Sequence, residues 1–264
     1  MAGSDSRSLA VFCDFENIAL GVREARYSQF DMEKVLERLL AKGSIVVKKA
    51  YCDWERYKEF KAAMHAASFE MIEIPHVRQS GKNSADIRMV VDALDLCYTK
   101  SHVDTFVIVS GDSDFSPLVS KLRENAKTVI GVGVKNSSSD LLINNCDEFI
   151  YYDDLVRADE KKRRAAKKRR DSGAADSGQD KKQEAFDQML GTLEALMAER
   201  DADERIWGSM VKQALKRRNP GFNESYYGFH GFSELLEEAE KKGLIRLEAD
   251  EKSGGYVVKP AQQG

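Results

Sequence analysis

Residues 107–115 read VIVSGDSDF, and this stretch decides the fold. Phe106 to Val109 is a short apolar run of strand type, Ser110-Gly111 is a turn signal, and the strand therefore ends by delivering Asp112 and Asp114. The carboxyl ends of strands are where open α/β sheets bind ligands. Two carboxylates one residue apart repel, and both stay ionised only in water or beside a cation. A divalent metal is the simplest such cation.

Upstream, Leu9 to Cys13 is a second short apolar run and ends on Asp14-Phe15-Glu16-Asn17, so Asp14 also stands at a strand's carboxyl end. Asp31 is placed to cap a helix that runs through Val35, Leu36, Leu39 and Leu40 to Lys42 and stops at Gly43. Ile45 to Tyr51 reads as a strand, Glu55 to Ala67 as a helix, and Phe69 to Ile74 as a strand stopped by Pro75. The polar loop His76 to Ser84 ends in the capping pair Asn83-Ser84 and opens a helix through Tyr98, with Asp86 in its first turn. An acid there is favoured by the helix dipole, so Asp86 reads either as a stabilising residue or as a ligand. Asp92 lies about 120° further round that helix and at pairing distance from Arg88. Downstream come a helix from Ser116 to Asn125, a strand from Thr128 to Val134, a short helix from Leu141 to Asn144 and a strand from Glu148 to Tyr151. Such alternation predicts a doubly wound, mostly parallel α/β sheet with helices on both faces, over residues 1–157.

At 264 residues there is room for one large domain or two. The net charge of -3 hides an asymmetry: Lys161, Lys162, Arg163, Arg164, Lys167, Lys168, Arg169 and Arg170 crowd into a basic flexible linker over 158–182. That segment reads as a solvated tether, a nucleic-acid-contacting arm or a nuclear-import signal. Cys13, Cys52, Cys97 and Cys146 form no C-x-x-C pair and read as reduced, buried thiols. No apolar run nears the roughly 20 residues that cross a bilayer, and MAGSDSRSLA lacks a signal-peptide core. The expected location is cytoplasmic, without a membrane. Neither a Ser/His/Asp or Cys/His set nor a G-x-x-x-x-G-K-[ST] loop is present, which argues against acyl transfer and nucleotide-driven motors.

Helical periodicity resumes from Lys182 to Glu199 through Phe186, Met189, Leu190, Leu193, Leu196 and Met197, all read as core. A second helix carries Trp207, Met210, Val211, Ala214 and Leu215 and ends near Asn219, before Pro220. A third, Phe232 to Lys242, is closed by Gly243. Leu244 to Leu247 and Tyr256 to Val258, joined through Gly254-Gly255, form a hairpin. Three helices and a hairpin are the order of a winged helix, over residues 183–260. Its third helix carries Glu234, Glu237, Glu238 and Glu240, which opposes major-groove reading. Lys212, Lys216, Arg217 and Arg218, with Tyr226, Tyr227 and Phe229, offer charge and stacking to single-stranded or structured RNA; the aromatics read equally as core.

A doubly wound sheet brings Asp14, Asp86, Asp112 and Asp114 to one edge. Oxygen donors without His or Cys select Mg²⁺ or Mn²⁺, one ion or two, and such ions commonly bind substrate phosphates. Asn17 is placed to orient a water or a phosphate oxygen, with Ser110 and Ser113 as supporting residues. This is the chemistry of phosphodiester hydrolysis.

DFENI at Asp14, KNSADIRMVVDAL from Lys82 to Leu94 and SGDSDF from Ser110 to Phe115 together resemble the NYN domain of the LabA-like type, a branch of the PIN-like nucleases, over about the first 155 residues. The resemblance implies a metal-dependent ribonuclease with Asp14, Asp86, Asp112 and Asp114 in the acidic cluster, Asn17 beside it, Asp92 at a position where the family usually has Asp, and Lys82 as an RNA-binding candidate. GSMVKQALKRRNPGFNESYYGFHGFSELLEEAE, from Gly208 to Glu240, resembles the OST-HTH or LOTUS module, which implies RNA binding and sometimes a protein partner. The expected function is a ribonuclease with a C-terminal RNA-binding module. A non-catalytic RNA-binding adaptor is the alternative, DNA stays open as a substrate, and so does the oligomeric state, a dimer included.

Overall fold

The computed structural model describes residues 7–27, 29–74, 84–160, 177–199, 204–219, 221–250 and 255–261. The chain divides into two compact units, residues 1–39 with 44–164 and residues 40–43 with 165–264.

In the first unit, β1 (Arg7–Asp14), β2 (Gly43–Cys52), β3 (Glu70–Glu73), β4 (Thr105–Val109), β5 (Thr128–Gly133) and β6 (Glu148–Tyr151) form a six-stranded parallel sheet in the order β3-β2-β1-β4-β5-β6. Val11 stands beside Val107, and Val107 beside Ile130, so the strands richest in β-branched residues lie at the centre. All five residues of β4 are buried, which a strand covered on both faces requires.

The two-residue period of the strands builds two cores. Leu9, Val11 and Cys13 of β1 and Val107 and Val109 of β4 face one side, where α1 (Phe15–Glu24), α2 (Met32–Lys42) and α3 (Lys61–Ala66) supply Phe15, Ile18, Val35, Leu39 and Met64. Ala10, Phe12, Phe106 and Ile108 face the other, where α4 (Ser84–Thr99), α5 (Ser116–Glu124) and α6 (Asp140–Asn145) supply Met89, Ala93, Leu118, Leu122 and Leu142. Strand order reverses between β1 and β4, and the carboxyl ends of these two strands flank the switch point at which such sheets bind ligands.

Two local structures depart from the sequence reading. Helix α1 is an additional element: Asp14, read only as a strand end, also caps it by accepting from the Asn17 N–H. The helix expected from Glu55 to Ala67 shrinks to a 3₁₀ turn at Lys58–Phe60 followed by α3. Residues ahead of it are held otherwise, because Asp53 Oδ1 accepts from the Glu55 N–H at 3.2 Å and Trp54 donates to Glu73 Oε1 at 3.0 Å and to the Ile72 carbonyl at 3.2 Å. Elsewhere Asp31 accepts from the Glu33 N–H at 3.1 Å and so starts α2 as a capping residue should. Pro75, Asn83, Pro220 and Gly254 lie outside the described residues, as do 161–176 of the basic segment.

The second unit comprises α7 (Ser177–Ala198), α8 (Gly208–Arg218), α9 (Phe232–Lys241) and an antiparallel hairpin of β7 (Ile245–Asp250) and β8 (Gly255–Pro260). Trp207 bridges to Val257, so the start of α8 extends the small sheet. Phe186, Met189 and Leu193 of α7, Val211 and Leu215 of α8, Leu235 and Leu236 of α9 and Val258 of the hairpin share one core. Met197 is an exception to the predicted core, 38% exposed near the end of α7. Gly243 follows α9 at φ 69°, a left-handed position that glycine fills without strain. No helix among the described residues is long and apolar enough to cross a membrane.

Candidate functional site

Strands β1 and β4 end side by side, and their polar termini are sewn together. The Ser110 hydroxyl, fully buried, donates to Asp14 Oδ2 at 3.1 Å and accepts from the Asp112 N–H at 3.2 Å. Asn17 Oδ1 accepts from the Gly111 N–H at 2.9 Å. Asp112 Oδ1 accepts from the Asp114 N–H at 3.0 Å and thereby caps a 3₁₀ turn, Ser113–Phe115, that leads into α5. Backbone donors that a turn would otherwise leave unpaired are satisfied by carboxylates and a hydroxyl. Gly111 is needed here for space: a Cβ would sit 2.4 Å from the Ser137 carbonyl oxygen, because the loop after β5 closes over the turn and Ser139 N–H donates to the Gly111 carbonyl at 2.9 Å.

Beside this seam lies an open cleft of about 480 Å³, and Asp14, Asp86, Asp112, Asp114 and Asn17 all line it. Asp86 arrives from a different direction, in the first turn of α4. The carboxylates feel one another. Burial, then the charge of Asp86, pushes the Asp14 carboxyl up to about 7, against the pull of its bonds from Asn17 and Ser110. Burial again, then the charges of Asp112, Asp114 and Glu16, raises Asp86 to about 6. Among the described residues no three His, Cys, Asp or Glu side chains group closely enough to hold a metal ion as they stand.

Compared with known protein families, residues 8–153 match the NYN domain. The chain belongs to the NYN domain family. This family is part of the PIN-like nuclease superfamily and accounts for the parallel sheet and its flanking helices. An uncharacterized protein of Methanocaldococcus jannaschii is 30% identical over 120 residues, which are 46% of this chain and 47% of that protein. Meiosis regulator and mRNA stability factor 1 of Xenopus tropicalis is 25% identical over 148 residues, 56% of this chain and 9% of that protein. The chain thus spans about half of one relative and about a tenth of the other. A crystal structure of a Vibrio parahaemolyticus protein of unknown function superposes with a TM-score of 0.52 at 28% identity, covering 59% of this chain and 98% of that one.

The cleft of the NYN unit has walls that motif reading missed. Glu16, Asp53 and Arg56 also line it, and Arg56 Nη1 donates to Glu16 Oε1 at 3.1 Å. Glu16 was within reach of sequence reasoning, since recognising α1 places it in that helix's first turn; Arg56 sits in a turn and is brought there only by the fold. Asp92 is not in the lining. It accepts from Arg88 Nε at 3.0 Å, as the spacing predicted, and from the Tyr51 hydroxyl at 2.9 Å, while Tyr51 itself lines the cleft. Ser113 lies half-buried in the 3₁₀ turn, away from the lining, and Lys82 lies outside the described residues.

In the second unit the predicted RNA-binding side chains are unequally placed. Lys216 is exposed, Arg217 is half-buried, and Lys212 pairs with Glu224 at 3.1 Å and lies 6.0 Å from the centre of the Phe232 ring. Arg218 donates to the Gly191 carbonyl at 3.0 Å and so ties α8 to α7. Tyr227 and Phe229 belong to the core, whereas Tyr226 is 62% exposed with Lys181 Nζ 4.9 Å from its ring centre.

Proposed function

We propose that this chain is a metal-dependent ribonuclease that hydrolyses RNA phosphodiesters in the cleft of its NYN unit. The observation that carries the reading is the gathering of Asp14, Asp86, Asp112 and Asp114 around one open cleft, with two of their pKa values raised by burial and by like charge. The donor set fits Mg²⁺ or Mn²⁺. All of its ligating atoms are hard oxygens, and such ions keep several waters and take one or two carboxylates plus substrate phosphates in place of a closed protein cage. Asp14, Asp86, Asp112 and Asp114 would hold one ion or two. When bound, such an ion supplies an activated water and stabilises negative charge at the phosphodiester.

The remaining roles belong to the chain's own side chains. Ser110 holds the Asp14 carboxylate in place and, through the Asp112 N–H, fixes the distance between the two strand ends. Asn17 spends its carbonyl oxygen on Gly111 and keeps its amide N–H groups for a water or a phosphate oxygen. Arg56 lies at the acidic wall, where a phosphate displaces Glu16 as its partner and gains a bidentate contact. Asp92 acts through Tyr51, by fixing its ring against the cleft.

RNA is the preferred substrate class, supported by the family and by the mRNA stability named in the Xenopus relative. The C-terminal unit is read as an OST-HTH or LOTUS winged helix over 183–260, joined to the nuclease domain of 1–157 by the basic linker of 158–182. Its order of three helices and a hairpin supports this, and Lys212, Lys216 and Tyr226 are its accessible RNA contacts. The test is Asp112→Asn, assayed for RNA cleavage with Mn²⁺ and for RNA retention. Lost cleavage with retained binding supports the nuclease. Wild-type protein that retains RNA and never cleaves it is the adaptor instead.

A further inference from the structure

Helix α4 turns one face to the sheet and carries a second apolar face outward. Met89, Ala93 and Cys97 are buried in the core. On the opposite side Ile87, Val91 and Tyr98 are 61%, 55% and 64% exposed, and Leu94 between them is half-buried. Their spacing is four, three and four residues, so at about 100° per residue the four side chains fall within an arc of roughly 60°. That is the pattern of a helix seam without its partner helix. Large apolar side chains scattered singly on a surface need no explanation; a contiguous row along one helix does.

The charges beside the row select the partner. Arg88 and Asp95 lie on the same flank of the seam, both exposed, and stand equally far on either side of the point between Val91 and Asp92. A two-fold axis through that point, relating antiparallel helices, brings Arg88 of each copy opposite Asp95 of the other and seats Ile87 between Leu94 and Tyr98 of the second copy. A parallel pairing about a two-fold axis along the helices places this flank of the two copies on opposite sides of the seam, where Arg88 and Asp95 do not meet. Nucleic acid suits the face poorly, since Arg88 already donates to Asp92 at 3.0 Å and Asp95 lies beside it. A guanidinium has further N–H donors for a second carboxylate.

We infer that the outward face of α4 is the contact surface for a second copy of this chain, with the two helices antiparallel about Val91. The seam is about 16 Å long and smaller than a standard interface, so the dimer forms in a concentration-dependent way. The inference is independent of the nuclease reading, as the seam uses no cleft residue.

Sedimentation equilibrium of the full chain, from micromolar to several hundred micromolar, tests it. The wild-type mass is expected to rise from 29.7 kDa towards double that value. Val91→Glu should hold the chain at monomer mass throughout, with circular dichroism unchanged. Arg88→Asp should weaken the dimer by about tenfold or more, and Arg88→Asp with Asp95→Arg should recover it, because the reversed pair is again complementary. This rescue decides the matter even if Val91→Glu disturbs folding. A wild-type chain that stays monomeric over the whole range overturns the inference. So does a dimer that persists equally in Val91→Glu and Arg88→Asp, or a double variant as weak as the single one.

Discussion

In the NYN unit the clustered charges are tied down and still line an open cleft. In the C-terminal unit they are largely drawn into the fold's own bonds. Asp14 accepts a backbone N–H three residues on and Asp112 one two residues on, yet a carboxylate has lone pairs to spare and both residues line the cleft. Arg218, by contrast, donates to the Gly191 carbonyl between helices, and Lys212 is paired with Glu224. Strand ends at a switch point present acceptors to an open crevice, whereas cations of α8 meet a carbonyl of the neighbouring helix or the Glu224 carboxylate first. Charge in the cleft is available for chemistry. Charge on α8 goes first to stability, and only the remainder is available for recognition.

The sharpest way to break this contrast is to remove one charge from the cleft. Asp112→Asn should lower metal-dependent RNA cleavage by at least about 1,000-fold, ~4 kcal/mol of transition-state stabilisation. RNA affinity should change little, which filter binding and single-turnover cleavage measure separately.

A second effect is the pH dependence of stability without divalent ions. Burial, then the neighbouring like charges, holds the Asp14 carboxyl at about 7 and the Asp86 carboxyl at about 6, above the ordinary aspartate value of 3.8. The folded state therefore binds more protons than the unfolded chain between about pH 4 and 7. Stability from these groups is full below pH 4 and falls as pH rises from 4 to 7, by about 4 kcal/mol from Asp14 and by less from the half-buried Asp86. Urea unfolding at a series of pH values should show that slope, and Asp14→Asn should flatten it. A slope of opposite sign would mean that burial and like charge do not raise these carboxyls as described.

Gly111→Ala comes next. Its Cβ meets the Ser137 carbonyl oxygen, so the loop after β5 or the turn itself must shift, at about 2 kcal/mol. Denaturant unfolding reads the loss, and cleavage should fall with it because Asp112 moves.

The smallest effect is expected on α8. Lys212→Ala with Lys216→Ala should weaken RNA binding only severalfold and reduce the salt dependence by about one or two phosphate contacts. Equal binding at every salt would make α8 purely structural.

How far the sequence carries this picture depends on whether a feature is local. The buried run of β4, the SGDSDF turn, the Asp31 cap and the Arg88–Asp92 pair were all legible, since each needs only neighbours within four residues. Helix α1 was also written locally, in the Asp14 cap and in Phe15, Ile18 and Val22 at helical spacing, and was masked by reading the segment as a strand end. Residues 55–57 resemble a helix start by composition, but long-range bonds from Trp54 to β3 hold the adjacent turn. Tyr51 on Asp92, and Arg56 on Glu16, are separated by about forty positions, and only the fold brings them together. For Tyr226 and Tyr227 the same sequence signal had two outcomes: the first ring is exposed and the second fills the core.

The measurement that tests the central claim most directly is incubation of the purified chain with single-stranded RNA, hairpin RNA and matched DNA, in Mg²⁺, Mn²⁺ or EDTA, beside Asp14→Asn. The account predicts RNA cleavage that requires a divalent ion and disappears in Asp14→Asn. Cleavage that persists in EDTA, or that survives Asp14→Asn unchanged, would contradict it.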